Sequence, residues 1–147
     1  MIIHPMKPEH YDSLVKLWSS FPGNAMTGAD SAEGFSLFLK RNGAYCFTAF
    51  EDDEIVGSVM AGEDARRGYV YHLSVKRDLH RSGTGKALMD KAEAALYNAG
   101  IEKLHLFIYS DNPAIEFYKK TGWHLREDIE VMSKVLRGDK CMGTGKP

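Results

Sequence analysis

The sequence predicts a mixed α/β domain whose sheet is covered by helices on both faces. Strand-like apolar runs and longer runs with helical period alternate along the 147 residues, roughly in the order β-α-α-β-β-β-α-β-α-β. The apolar fraction of 44% and the charged fraction of 27% are ordinary for a soluble globular protein. Neither an internal repeat nor an interdomain linker is present. We therefore expect one domain over residues 1–136 and a flexible, Gly- and Lys-rich tail over residues 137–147.

The first half of the chain predicts a strand, two helices and a hairpin. MIIHPM is strand-like, and a helix begins at Pro8 with an apolar face from Tyr11 to Trp18. The loop FPGNAMTGAD leads to a second helix, which Asp30 or Ser31 could cap. The runs AYCFTAFE and EIVGSVMAGE form a hairpin around the turn Asp52-Asp53, and YVYHLSV is the next strand.

The second half predicts a long helix, a strand, a short helix and a closing strand. The long helix follows LHRSGTGK and ends at Gly100, a favourable C-terminal residue. KLHLFIY reads as a strand. The short helix of NPAIEFYKKTGW starts at Pro113, is capped by Asn112 or Asp111, and ends at Gly122. The segment WHLREDIEVMSKVL is predicted to close the sheet as one bent strand or a hairpin.

Charge and cysteine content narrow the function classes. The formal net charge of −1 disfavours a nucleic-acid binder that works by bulk electrostatics. No apolar run approaches the length of about 20 residues that spans a bilayer, and MIIHPMKPEH lacks the features of a signal peptide. Cys46 and Cys141 form neither a metal spacing nor a disulfide framework, and Cys46 is expected in the core. We expect a cytoplasmic protein with no metal, nucleic-acid or membrane partner.

The stretch LHRSGTGK, where a strand gives way to a helix, suggests an anion site or a plain tight turn. The P-loop pattern fails at His80 and Ala87, and the dinucleotide fingerprint fails because Leu88 holds the third glycine position. A third pattern, [Q/R]-x-x-G-x-[G/A], fits His80 to Gly85 apart from the histidine itself. Unpaired N–H groups at a helix start, close approach at glycines and the helix dipole would all favour a phosphate there.

With this stretch the chain resembles the GNAT superfamily of acetyl-CoA-dependent N-acetyltransferases. The resemblance implies the GNAT fold, with a mixed, mostly antiparallel sheet, and a cradle for the pyrophosphate of coenzyme A. The cradle residues are His80, Arg81, Ser82, Gly83, Thr84, Gly85 and Lys86. His80 stands where the family has Gln or Arg, and a neutral imidazole can still donate one hydrogen bond.

Two further motifs extend the resemblance from about Met1 to Leu136. NPAIEFYKKTGW resembles N-x-x-A-x-x-[FL]-Y-x-x-x-G-[FW], although Asn112 lies six residues before Tyr118 where the family asparagine lies seven before. Asn112, or Asp111 in its place, would contact the cofactor. Leu73-Ser74-Val75 resembles the L-x-V segment, whose backbone pairs with the peptide-like arm of the cofactor.

The resemblance implies direct transfer of an acetyl group from acetyl-CoA to an amine of a small molecule or peptide, within a ternary complex. A backbone N–H near Val75 would polarise the thioester carbonyl, and Tyr118 would donate a proton to the leaving sulfur. The general base stays open among four candidates: Glu63, Asp64, Tyr71 and His72. The resemblance also leaves open that ordered water, and no single residue, removes the proton. His72 is also read as a structural histidine on the face opposite Leu73 and Val75.

The acceptor pocket is expected between the first two helices, their loop and the sheet. Candidate lining residues are Trp18, Phe21, Met26, Asp30 and Glu33, although Trp18 also reads as core and the acids as helix caps. A homodimer through the last strands is a further expectation from the family. The alternative function is a non-catalytic CoA-binding sensor or interaction module, against which Tyr118 argues.

Overall fold

One five-stranded sheet, in the order β1-β2-β3-β4-β5, organises the chain. The computed structural model describes residues 1–21 and 26–137. The strands are β1 Ile2–Pro5, β2 Phe47–Glu51, β3 Glu54–Glu63, β4 Gly68–Val75 and β5 Leu104–His105. The helices are α1 Tyr11–Ser19, α2 Ala32–Asn42, α3 Thr84–Asn98 and α4 Ala114–Lys120. Strands β1 to β4 are antiparallel neighbours and β5 joins β4 in parallel, so the expected mixed, mostly antiparallel sheet is confirmed.

Two apolar cores cover the two faces of the sheet. Helix α3 packs on one face, where the buried residues are Ala49, Val56, Val59, Ala61, Val70, Val75, Leu88, Met89, Ala92 and Leu96. Helices α1 and α2 cover the other face, where they are Met6, Leu14, Leu17, Trp18, Met26, Phe35, Cys46 and Met60. The prediction of helices on both faces is confirmed, and Cys46 is a fully buried core residue as expected.

Local turn chemistry places the element ends where the sequence suggested. Asp52 and Asp53, at φ 49° and 63°, form the tight turn between β2 and β3. Gly100, at φ 89°, follows α3 and lets the chain leave the helix. Ser31 is the cap of α2, because its Oγ accepts a hydrogen bond from the N–H of Gly34 at 3.1 Å. The side chain of Asp30 therefore does not cap α2.

A β-bulge in β4 interrupts its pairing with β3. Ser58 pairs with Ser74 and Met60 pairs with Tyr71. The single residue Val59 of β3 therefore lies opposite two residues of β4, His72 and Leu73. His72 takes φ 47°, in the left-handed region that few residues with side chains adopt. The bulge turns the side chains of Tyr71 and His72 toward the α1/α2 face, where they contact Phe38 and Trp18.

Near the C-terminus one predicted strand is confirmed but far shorter than expected, and another is wrong. KLHLFIY contributes only Leu104–His105 to the sheet, and WHLREDIEVMSKVL forms no strand among residues 123–137. A strand needs a neighbour to satisfy its N–H and C=O groups, and the ladder between β4 and β5 holds only two residue pairs. The apolar side chains of Val131 and Met132 accordingly stay 64% and 95% exposed. The predicted tail from residue 138 onward, with Cys141, and residues 22–25 of the predicted loop lie outside the described residues.

Candidate active site

Strand β4 pairs with β5 only at its first two residues, Gly68 and Tyr69. The rest of that edge of β4 has no neighbouring strand within the described residues. The N–H of Lys76 donates to the carbonyl of Val56 on the β3 side at 2.9 Å. Alternation along a strand therefore turns the N–H of Val75 away from β3, toward the open side. The segment Leu73–Val75 thus offers backbone groups along an unpaired edge, to which an extended peptide-like arm can bond.

The start of α3 lies directly after this edge and presents free backbone donors. Gly83, at φ 89°, precedes the helix, and its carbonyl accepts the first helical bond, from Ala87 at 3.0 Å. Within the described chain no acceptor is found for the N–H groups of Gly83, Gly85 and Lys86. A Cβ atom added to Gly83 would meet no heavy atom within 4 Å, so the space in front of these donors is open. The arrangement suits a phosphate group.

The ring of His80 points to the end of β4. Its Nε2 donates to the carbonyl of Val75 at 2.8 Å. The ring also stacks on Phe21, with 6.1 Å between centroids and 4° between planes. The guanidinium of Arg77 lies 5.3 Å from the centroid of the same Phe21 ring. His80 therefore joins the first helix's connecting loop to the strand end, a role that its motif position did not suggest.

The remaining side chains of the stretch are polar and mostly exposed. Ser82 and Thr84 share a hydrogen bond of 2.8 Å between their hydroxyl oxygens. The ammonium of Lys86 pairs with Asp90, one turn along α3, at 2.8 Å. Arg81 takes φ 67°, and its side chain lies at the surface. Lys86 and Arg81 place positive charge near the N-terminal end of α3.

Helix α4 packs onto the start of α3. A Cβ atom at Gly85 would lie 3.5 Å from Cζ of Phe117 and 3.7 Å from Cγ2 of Val75. The glycine stretch, the open strand and the short helix therefore meet at one point, although their residues are far apart in sequence. Tyr118 follows Phe117 and contacts the ring of Trp123, with 5.8 Å between centroids.

Burial raises the pKa of the Tyr118 hydroxyl to about 12. The phenol therefore holds its proton throughout the neutral range and can donate a hydrogen bond there. The side chain of Asn112 has a local role, because its Oδ1 accepts from the N–H of Ala114 at 2.8 Å and so begins α4. The N-cap position of α4 is occupied by Pro113, which makes no side-chain cap hydrogen bond. The prediction of Asn112 or Asp111 as the cap is therefore wrong in position, and Asn112 contacts the first helical residue instead.

Asp30 and His72 form a contact that sequence reasoning did not anticipate. The two residues are 42 positions apart, and Nε2 of His72 lies 2.8 Å from Oδ1 of Asp30. The imidazole stacks on the buried indole of Trp18, with 4.1 Å between centroids and 13° between planes. Trp18 in turn donates from Nε1 to Oγ of Ser58 at 2.9 Å. The bulge of β4 places His72 between Asp30 and Trp18, and no local sequence pattern predicts the bulge.

The other acid–base candidates do not join this group. Glu63 and Asp64 flank the turn before Gly68, roughly 20 Å along β4 from Val75 at about 3.3 Å per residue. Asp64 uses its carboxylate to accept the N–H groups of the two arginines that follow it. Tyr71 is 43% exposed and packs edge-on against a phenylalanine of α2. Of the four candidate bases, His72 is therefore the one that contacts Asp30.

The residues expected to line an acceptor pocket divide into two groups. Trp18 is fully buried and Met26 is 3% exposed, so both belong to the core beneath α1 and α2. Phe21 contacts the side chains that follow β4, and Glu33 lies at the surface in the first turn of α2. Asp30 is the one acidic member that reaches the sheet, through His72.

A family model decides the classification of this chain. The model of the acetyltransferase (GNAT) family matches residues 11–123, a span that includes all three motifs. The chain belongs to the GNAT family. None of the helices in the described part of the chain has the length and apolar character needed to cross a membrane.

Curated relatives and solved structures agree with this assignment. An acetyltransferase of Sodalis glossinidius is 34% identical over 88 residues, which cover 59% of this chain and 62% of the relative. An acetyltransferase of Pectobacterium atrosepticum is 44% identical over 84 residues, covering 56% of this chain and 60% of the relative. The matched region thus spans about three fifths of these relatives' length.

Two GNAT structures share the fold at low sequence identity. The PaiA N-acetyltransferase of Thermoplasma acidophilum, in complex with coenzyme A, superposes with a TM-score of 0.74 at 19% identity, covering 85% of this chain and 90% of that chain. An aminoglycoside acetyltransferase from an uncultured soil metagenomic sample, in complex with sisomicin, gives a TM-score of 0.71 at 19% identity, covering 92% and 96%. The GNAT fold expected from the sequence is confirmed.

Proposed function

We propose that this GNAT protein transfers an acetyl group from acetyl-CoA to a primary amine of a small molecule or peptide, by direct attack in a ternary complex. The observation that carries the proposal is the open edge of β4 next to the free N–H groups at the start of α3. The open strand edge is followed directly by the helix start. This arrangement suits a ligand with an extended, amide-bearing arm at one end and phosphates at the other.

The binding roles follow from the backbone. The N–H groups of Gly83, Gly85 and Lys86 would bond the pyrophosphate, and the cations of Arg81 and Lys86 would add attraction. The edge of Leu73–Val75 would pair with the arm. His80 would act through Val75, whose carbonyl it occupies, and the amide N–H2 group of Asn112 remains available to a ligand because only its oxygen holds the helix start.

The chain's own residues must polarise the thioester carbonyl, supply a proton to the leaving sulfur and accept a proton from the amine. Acetyl-CoA supplies an activated thioester. The N–H of Leu73 lies two residues before that of Val75 and therefore points to the same open side, where it would polarise the thioester carbonyl. Tyr118, protonated at neutral pH, would hold a proton for the leaving sulfur. An alkyl amine has a pKa near 10.4, so only about one molecule in 2,500 is unprotonated at pH 7, and the site must accept a proton from the rest.

The acceptor is inferred from the groups around Asp30 and from one neighbour of the same fold. The sisomicin complex shows that one protein of this fold holds a polyamine antibiotic. In this chain the carboxylate of Asp30 next to aromatic rings would favour an amine. A peptide N-terminus and a small polyamine are both compatible with these groups.

Calorimetric titration with acetyl-CoA, with ATP and NAD as controls, tests the donor. Binding of acetyl-CoA alone at micromolar concentration is expected. A screen of transfer to sisomicin, lysine amide and a short peptide with a free N-terminus then tests the reaction. Binding of acetyl-CoA without transfer to any amine would favour the non-catalytic CoA-binding module, and binding of ATP or NAD instead would reject the proposal.

A further inference from the structure

The contact between His72 and Asp30 fixes which nitrogen of the imidazole carries a proton. An ionised carboxylate only accepts hydrogen bonds, so Nε2 of His72 must be the donor in the 2.8 Å contact with Oδ1 of Asp30. In the neutral ring, Nδ1 then carries the lone pair. The stack on Trp18 holds the plane of the ring, so the lone pair has a fixed direction.

The second nitrogen is available to a ligand. No hydrogen-bond partner of Nδ1 is found among residues 1–21 and 26–137. Every fully buried side-chain nitrogen and oxygen in that part of the chain does have a partner. The Nδ1 atom of His72 is therefore not fully buried, although its side chain as a whole is only 10% exposed.

The backbone of His72 is held in an unusual conformation. Its φ of 47° lies in a region that most residues with side chains avoid, so the conformation is strained. Ser58 stabilises the bulge, because its hydroxyl donates to the carbonyl of His72 at 2.8 Å. A strained, well-supported histidine beside a strand edge is a reason to look for function at that residue.

The bulge lies where the reactive end of the donor would arrive. An arm that starts at the phosphate cradle, after Val75, and runs back along the open edge of β4 passes Leu73 and ends toward His72. His72 is about 10 Å from Val75 along the strand. The imidazole projects to the α1/α2 face, the side from which Asp30 and the loop between the two helices approach.

We propose that His72 is the general base of the transfer reaction and that Asp30 positions it. This inference rests on the proposed function. Nδ1 takes one proton from the acceptor ammonium, and the freed lone pair of the amine forms the C–N bond with the acetyl carbonyl carbon. The C–S bond breaks as the sulfur takes the proton of Tyr118. The second proton of the attacking nitrogen then passes to the Tyr118 phenolate and restores the phenol, and the proton on His72 is released to water. The net reaction converts an ammonium and acetyl-CoA into an amide, free CoA and one proton.

The titratable groups that face His72 support this assignment of roles. From the loop, Asp30 is the charged neighbour, and from α1 the hydroxyl of Tyr11 donates to the backbone carbonyl of Asp30 at 2.6 Å. From β4 itself, Tyr71 is adjacent. Burial raises the pKa of Asp30, but the hydrogen bond and charge of His72 and the N–H of Thr27 outweigh it, so the pKa lies below the ordinary value. Asp30 is thus a carboxylate at any working pH, able to hold the imidazole in one tautomer.

The variant His72→Asn tests the base, because asparagine tolerates the left-handed backbone and cannot take up a proton. We expect kcat for an alkyl amine that the wild type acetylates to fall by about a hundredfold or more. Affinity for acetyl-CoA should be unchanged. Transfer to hydroxylamine, which is largely unprotonated at neutral pH, should fall far less. The acid limb of the kcat/KM profile, which reports the free enzyme's base, should disappear. His4→Asn, on exposed β1, is the matched control.

A measurement without substrate completes the test. Ring nitrogen shifts of ¹⁵N-histidine-labelled protein should show the Nε2–H tautomer for His72 in the wild type, and its loss in Asp30→Asn. An Nδ1–H tautomer in the wild type, or a folded His72→Asn variant with normal kcat and an intact acid limb, would overturn the role of His72 alone. A wild type that binds no acetyl-CoA would instead overturn the proposed function, so the two failures are distinct.

Discussion

A pair of glycine substitutions at the two ends of α3 tests the phosphate cradle. Gly83 and Gly100 share φ 89°, and at each of them an added Cβ atom would meet no heavy atom within 4 Å. Replacing either with glutamate therefore brings the same backbone penalty, about 1–2 kcal/mol. The helix dipole favours the new carboxylate at Gly83 and disfavours it at Gly100, by about 0.3–1 kcal/mol each. Gly83→Glu should thus be at least as stable as Gly100→Glu.

The two variants should differ sharply in ligand affinity. At Gly83 the carboxylate would lie among the N–H groups that are proposed to bond the pyrophosphate. Two like charges about 4 Å apart near a protein surface repel by about 4 kcal/mol, which corresponds to a loss of roughly a thousandfold in affinity. Gly100→Glu should keep wild-type affinity. Calorimetry with acetyl-CoA, with thermal unfolding to confirm the fold, makes the comparison. Wild-type affinity in a folded Gly83→Glu variant, or equal losses in both, would refute the cradle.

Four further predictions concern catalysis, pH-dependent stability, packing and thiol chemistry. Tyr118→Phe should lower kcat with little change in acetyl-CoA affinity; full activity would exclude Tyr118 as the acid. Since burial raises the pKa of Tyr118 to about 12 from an unfolded value of 10.0, the hydroxyl stabilises the fold fully below pH 10. As pH rises to 12, about 2 kcal/mol of stability should be lost, and a urea titration of the phenylalanine variant should show a smaller decline. Gly34→Ala should destabilise the fold by about 1–3 kcal/mol despite alanine's better helix propensity, because the new Cβ would lie 2.4 Å from the carbonyl oxygen of Ala29; an unchanged urea midpoint would contradict this. Burial raises the pKa of the Cys46 thiol to about 11, so with the chain's other cysteine replaced by serine, a disulfide reagent at pH 8 should label it only on unfolding.

The sequence by itself determined the features that depend on neighbouring residues. The acidic pair before β3 and the glycines beside α3 each act through their own φ angles. Their outcomes could be predicted because the physics is local. The order of elements, with apolar faces at strand or helix period, likewise predicted a sheet between two helical layers. The family motifs added the hypotheses that this stretch is a phosphate cradle and that Tyr118 is the acid.

Strand pairing was decided by the tertiary structure alone. An apolar, alternating segment such as WHLREDIEVMSKVL resembles a strand in any context, but it becomes one only beside a free edge of sufficient length. Strand β5 pairs with β4 over two residues, which leaves no such edge for residues 123–137 and at the same time leaves β4 open for a ligand. The failed prediction and the candidate site therefore have the same cause.

The pairing of Asp30 with His72 was also beyond the sequence. Each residue had a plausible local role, as a cap or as a histidine of the strand interior. The bulge in β4 turned His72 onto the face of α1 and α2, and the use of Ser31 as the cap left Asp30 free to meet it. Contacts between residues far apart in sequence depend on the register of strands and the angle of packing, which no local pattern encodes. Local chemistry fixed where the elements begin and end, and the packing of those elements decided which side chains share the site.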